Sequence, residues 1–218
     1  KILEKELKRK SNEFKNIRDN AMQDLLEPIN DQIAWITGSQ VCYCAEAFQG
    51  VSRQHPDAAA LSVLATVLRN GFLHTAIREK GGAYGAGATN DTATNTFKFF
   101  SYRDPKCTET FSAFREAIEW SKTSITDQHL EEAILGVVSS IDKPLSPVGE
   151  AKNDFNFNLE DISTKERLEM RQRVINCSID DLIRVSEKYL TKPSKKSILA
   201  GKAFSEEASS LGLNLREI

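Results

Sequence analysis

The segment IREKGGAYGAG, residues 77–87, sets an arginine and a tyrosine on either side of a glycine pair. Arg78 offers a planar fork of N–H donors and Tyr84 a phenol hydroxyl, and both suit the holding of carbonyl or carboxylate oxygens. Gly81, Gly82 and Ala83 leave nearly bare backbone between them. That removes side chains which would cover the pair, and it lets a second main chain approach closely. A plainer account is also open: Arg78 complements the dipole at a helix end, and Tyr84 joins the core.

Other candidate chemistry is weaker. His129 and Glu132 in DQHLEEA fill two places of H-x-x-E-H, but Ala133 occupies the third. A catalytic zinc needs three protein ligands and an open position, and neither His55 nor His74 has ligand spacing to a second His or Cys. The sequence therefore predicts no metal site in this chain. Gly82, Gly85 and Gly87 follow a predicted helix and open a predicted strand, whereas a phosphate loop leaves a strand and opens a helix. No G-K-[ST] and no G-x-S-x-G occur. Cys42 and Cys44 alternate along a predicted strand and share a face, but no second C-x-C or C-x-x-C completes a metal set. With Cys107 and Cys177 they read as buried, reduced thiols.

Several elements must position these residues. Leu3, Leu7, Phe14, Ile17, Ala21 and Leu25 fall near helical spacing, predicting an amphipathic helix to about Asp19, with continuation to Leu26 open, closed by Pro28. AWITGSQVCYCAEAF alternates as strands do. HPDAAALSVLATVLRN reads as an apolar helix with Pro56 near its first turn, ended by Asn70-Gly71. FLHTAIREK makes a second short helix, stopped at Gly81-Gly82. YGAGATND and TNTFKFFSYRD predict an antiparallel strand pair. Asp104-Pro105 opens a helix with Phe111, Phe114, Ala117 and Ile118 inward. Thr126-Asp127 opens the next, with Leu130, Ile134, Val137, Val138 and Ile141 inward, and Pro144 and Pro147 break it. Ser163 with Glu166, and Ser178 with Asp181, read as capping boxes. KSILAGKA is a last strand before an acidic, serine-rich tail. The pattern predicts an α+β fold, a largely antiparallel sheet with helices packed on it. The N-terminal helix and lead-in occupy 1–32, and one domain occupies 33–218.

The 218 residues are 40% hydrophobic and 28% charged, the composition of an ordinary globular protein. A net charge of −2 argues against a dedicated nucleic-acid binder. No apolar run reaches the roughly 18 residues of a membrane span, so no membrane partner is expected. Four scattered cysteines suit a reducing, intracellular compartment.

FLHTAIREKGGAYGAGA followed by FKFFSYRDP resembles the C-terminal half of pitrilysin/insulysin-family zinc metallopeptidases. GGAYG and SYRDP are most similar to the presequence protease branch. The match is clearest from Ala58 to Pro105, and the helical order stays consistent to about Ala203. The resemblance implies one of four similar α+β domains, arranged as two halves around a chamber. It implies zinc bound by the N-terminal half and unstructured peptides as substrates. It also implies that Arg78 and Tyr84 contact the bound peptide near the scissile bond, with Gly81, Gly82 and Ala83 lining it. Two further readings are a non-catalytic partner subunit of the same family and a stand-alone peptide-binding module. The compartment expected is cytoplasm for a bacterial protein, and organelle matrix or stroma for a eukaryotic one.

Overall fold

The computed structural model describes residues 32–218, which form one compact unit. The amphipathic helix expected near the N-terminus lies outside the described residues. Among those described, a six-stranded sheet runs in the order β3-β4-β2-β5-β1-β6. The strands are β1 (Ile33–Thr37), β2 (Tyr43–Gln49), β3 (Gly85–Asp91), β4 (Thr96–Tyr102), β5 (Lys195–Gly201) and β6 (Asn214–Glu217). β2 pairs antiparallel with β4 and β5, and β3 with β4. β1 pairs parallel with β5 and with β6. The fold is α+β, as the sequence predicts, and its parallel pairings are those of β1.

β6 corrects the expectation of a tail. Every residue of this short edge strand is exposed, so it has no alternation to read. Ala208 and Leu213 anchor the segment before it in the core.

Helices cover one face of the sheet. The central one, α1 (Ala58–Leu68), buries all its side chains except Ser62 and Thr66. Cys44, Glu46 and Phe48 of β2 point towards the helices, as their alternating burial requires. Phe48, Phe97, Phe99 and Phe114 form an aromatic cluster there, with Phe99 edge-on to Phe48 and stacked on Phe114. Phe114 belongs to α2 (Thr108–Thr123), which buries the predicted stripe Phe111, Phe114, Ala117 and Ile118.

Asp104 does not cap α2, contrary to the sequence reading. Its backbone pairs with Cys42 in both directions, and its carboxylate accepts from Lys106 N–H and Thr110 Oγ1. Those bonds hold Asp104 at the sheet edge, so the helix starts later, with Cys107 at its N-cap.

Gly71 likewise does not end α1. The chain runs on as a π-helical segment, Arg69–Glu79. A Cβ on Gly71 would stand 2.6 Å from the Trp120 ring, so this glycine is there for close packing. The continuous stretch Ala58–Glu79 is 22 residues, long and apolar enough to cross a membrane by length and composition, yet α1 is spent on the core.

Four more helices complete the layer: α3 (Asp127–Ile141), α4 (Pro147–Leu159), α5 (Thr164–Ile175) and α6 (Ile179–Tyr189). The Ser163–Glu166 and Ser178–Asp181 capping boxes form as predicted. On α3, Leu130, Ile134, Val137 and Val138 pack against the core, but Ile141 is largely exposed at the helix end. A 3-10 turn and a short helix, α7 (Ser205–Ser210), lead into β6.

Candidate functional site

Arg78 stands in the last turn of the π-helical segment and Tyr84 immediately before β3. The turn between them is fixed by its own hydrogen bonds. Lys80 N–H reaches Thr75 O, Gly82 N–H reaches Arg78 O, and Ala83 N–H reaches Ile77 O. This is a Schellman-type helix ending widened by one residue, as the π register demands. Gly82 takes φ +86°, the left-handed conformation such an ending needs. Gly81 is needed for a different reason, because a Cβ there would overlap the Ile77 carbonyl. Ala83 is buried and pins the turn to the core.

The two predicted donors are therefore both outside the core. Arg78 is exposed, with Nη1 3.3 Å from His74 Nε2. Tyr84 is 62% exposed, so the plainer reading of it as a core residue fails. Its N–H donates to Arg103 O at 3.2 Å, its ring lies 5.7 Å from that of Tyr102, and the Arg103 guanidinium sits 5.4 Å over it. Arg103 itself has φ +48°, an uncommon conformation for a side chain of this size.

Sequence reasoning missed Tyr102, Phe100 and Arg103 as companions of Tyr84. The register shows why they matter. Gly85 pairs with Tyr102 and Gly87 with Phe100 across the β3–β4 ladder. The two rings stack on one another and lie over the glycines, on the sheet face turned away from the helices. The signal was present in the sequence: alternating glycines in YGAG opposite alternating aromatics in FFSY. On the same face the outward residues Tyr43 and Leu199 remain more than a third exposed.

The remaining candidates are placed plainly. His129 Nδ1 accepts from Thr126 N–H, so this histidine serves as the far half of the α3 capping box. Ala133, at the missing-ligand position, packs into the core. Cys177 is buried alone beside α6, and burial pushes its thiol up to about 12. Cys42 and Cys44 do share a face, with their Sγ atoms 3.7 Å apart. The structure adds Asp104 to them, brought in from a distant part of the chain by the Cys42–Asp104 bridge, and the Cys42 thiol donates to the carbonyl of Lys106, the residue before Cys107.

A mixed six-stranded sheet with helices packed on it, an exposed aromatic patch and a glycine turn carrying two exposed donors make up a domain whose fold recurs in solved structures. A protease from Helicobacter pylori superposes with a TM-score of 0.67 at 20% identity, over 79% of this chain and 45% of that one. A peptidase M16 inactive domain from Pseudomonas fluorescens gives 0.63 at 16%, over 78% and 44%. At such identities the likeness concerns the fold. The chain belongs to the PreP C-terminal domain family, which matches residues 36–199. It is 41% identical over 157 residues to the mitochondrial presequence protease of Eremothecium gossypii, covering 71% of this chain and 16% of that protein. The mitochondrial presequence protease of Xenopus tropicalis is 40% identical over 152 residues, 69% of this chain and 14% of that protein. The chain thus spans about a sixth of the length of the curated relatives it matches.

Proposed function

We propose that this chain is the C-terminal domain, lacking the catalytic zinc, of a metalloendopeptidase that degrades short unstructured peptides. In this reading the Tyr84 hydroxyl donates to the carbonyl oxygen of the scissile bond as it becomes an oxyanion. The Arg78 guanidinium holds main-chain oxygens of the same peptide, and Gly81, Gly82 and Ala83 leave room for it to lie alongside. The observation that carries the reading is the exposure of both donors on either side of a turn whose two glycines are required by geometry.

The catalytic zinc that the family implies does not fit this chain. His55, His74 and His129 form no ligand group among the described residues, and the one donor cluster there is fully buried, with no open position for a substrate. The reading therefore assigns zinc to the N-terminal half of the full-length protein, which is this domain's partner around the peptide. The names of the relatives favour an active protease over a non-catalytic subunit, and support an organelle matrix as its compartment.

The test is turnover of an unstructured peptide by the full-length protein. Tyr84→Phe should lower kcat roughly a hundredfold or more with little change in KM, as loss of one oxyanion donor does. Arg78→Ala should lower kcat/KM. Unchanged turnover in both variants would overturn the assignment.

A further inference from the structure

The cysteines read from the sequence as plain packing residues meet a carboxylate in the folded chain. Cys42 Sγ, Cys44 Sγ and a carboxylate oxygen of Asp104 all lie within 4.8 Å of one another, and all three residues are buried. We propose that Cys42, Cys44 and Asp104, with Cys107 as the fourth ligand, form a structural site for a thiophilic divalent cation of the zinc class.

The spacing supports this. Two thiolates bound at about 2.3 Å to one tetrahedral zinc stand ~3.8 Å apart. The Cys42 and Cys44 sulfurs stand 3.7 Å apart. They reach that distance because residues two apart on a strand share a face. Cys107, at the N-cap of α2, directly follows Lys106, whose carbonyl accepts from the Cys42 thiol at 3.1 Å. Asp104 supplies the independent observation. Thiols packed as small apolar groups have no use for a buried carboxylate beside them. Asp104 is wholly buried, and its carboxylate is held by a backbone N–H and the Thr110 hydroxyl rather than by a cation. A divalent ion would balance that charge. Those two hydrogen bonds would orient the carboxylate as outer partners of metal ligands do.

Four protein ligands and full burial make the site a closed, structural one. Its place in the fold says what it would fasten. The Cys42–Asp104 bridge holds the segment Arg103–Pro105, which packs against Tyr84 and Gly82. The ion would thus tie β2 and the start of α2 beneath that segment. Binding requires deprotonated thiols, so it displaces their protons and strengthens as pH rises.

The test uses cobalt(II) as a spectroscopic stand-in, added while the full-length chain is refolded under a non-thiol reductant. The expected result is two cobalt ions per chain, one at the site assigned to the N-terminal half and one showing thiolate-to-cobalt charge transfer in the near ultraviolet with intense visible bands of tetrahedral coordination. A site of histidine and carboxylate ligands gives no such charge transfer. Zinc should bleach the signal, Cys44→Ser should abolish it, and Asp104→Asn should shift its visible bands. Wild-type protein that binds no cobalt, or binds it without charge transfer, would overturn the proposal. If Cys44→Ser fails to fold, the wild-type spectrum and its competition by zinc decide alone.

Discussion

Tyr102 lies across Gly85, its partner in the β3–β4 ladder, with the ring filling the space that a Cβ on Gly85 would occupy. An edge strand rich in glycine is intrinsically weak, and aromatic side chains from the neighbouring strand compensate by covering it. The same ring is the one that Tyr84 packs against. One glycine therefore sets the position of the aromatic shelf on which the candidate hydroxyl rests.

The first prediction follows for Gly85→Ala. The atoms in the way are the far end of the Tyr102 side chain, which is 39% exposed and free to swing outwards. Stability should change by no more than about 1 kcal/mol, in the range of a tolerated repacking. Peptide kcat in the full-length protein should nonetheless fall several-fold, because the displaced ring no longer supports Tyr84. Denaturant midpoints and peptide kinetics on the same preparation check both halves. A variant with wild-type kcat would remove Tyr102 from the account.

Gly81 and Gly82 should respond differently, although they are neighbours in sequence. Gly81→Ala drives a Cβ into the Ile77 carbonyl, which is backbone and also accepts the Ala83 N–H. Neither can yield without reopening the turn, so overpacking should cost about 1–3 kcal/mol. At Gly82 space is open, the nearest side-chain atom being Pro105 Cγ at 3.5 Å, and only the left-handed φ opposes a side chain. Gly82→Ala should cost roughly 1–2 kcal/mol, and Gly82→Asn less, since asparagine tolerates that conformation. Equilibrium unfolding of the three variants gives the order. If Gly82→Asn were as damaging as Gly81→Ala, steric exclusion rather than φ would govern both positions.

Gly71 shows where the sequence was legible and where it was not. Asn-Gly after an apolar run is a good stop signal, and only the approach of Trp120, forty-nine positions later, turns it into a packing site. The helix starts at Thr126, Ser163 and Ser178 were legible because capping is local chemistry. Arg78 and Tyr84 were legible because glycines flank them. Tyr102 over Gly85, Asp104 beside Cys42 and the buried Glu46, held by Arg115 and Ser194, were not, because each depends on strand register or on a distant loop. The corresponding prediction is that Gly71→Ala displaces Trp120 from Phe72 and His129, the rings it now packs against. Its tryptophan emission should shift to the red, with a loss of about 1–3 kcal/mol from overpacking. An unchanged spectrum would mean that Trp120 does not rest on this glycine.

Among the described residues, Asp57 gives the clearest acid sensitivity. Its carboxylate is buried ahead of α1 and accepts from Arg184 Nη1, Lys188 Nζ and Tyr189 Oη, each at 2.7 Å. Burial by itself would raise the carboxyl, but the bonds from Lys188, Tyr189 and Arg184 outweigh it and hold the group well below the usual carboxylate range. A depressed folded value means that the unfolded chain takes up the proton first as pH falls. The stabilisation is fully present above the ordinary aspartate value of about 3.9 and is lost as pH drops from there towards the folded value. Asp57→Asn should cost about 1–3 kcal/mol near neutral pH, since Arg184 and Lys188 are half-exposed and regain water when the carboxylate is gone. Its thermal midpoint should also fall less steeply than that of the wild type below about pH 4. Melting curves taken from neutral pH into acid check this, and parallel curves for the two proteins would show that another carboxylate controls the acid limb.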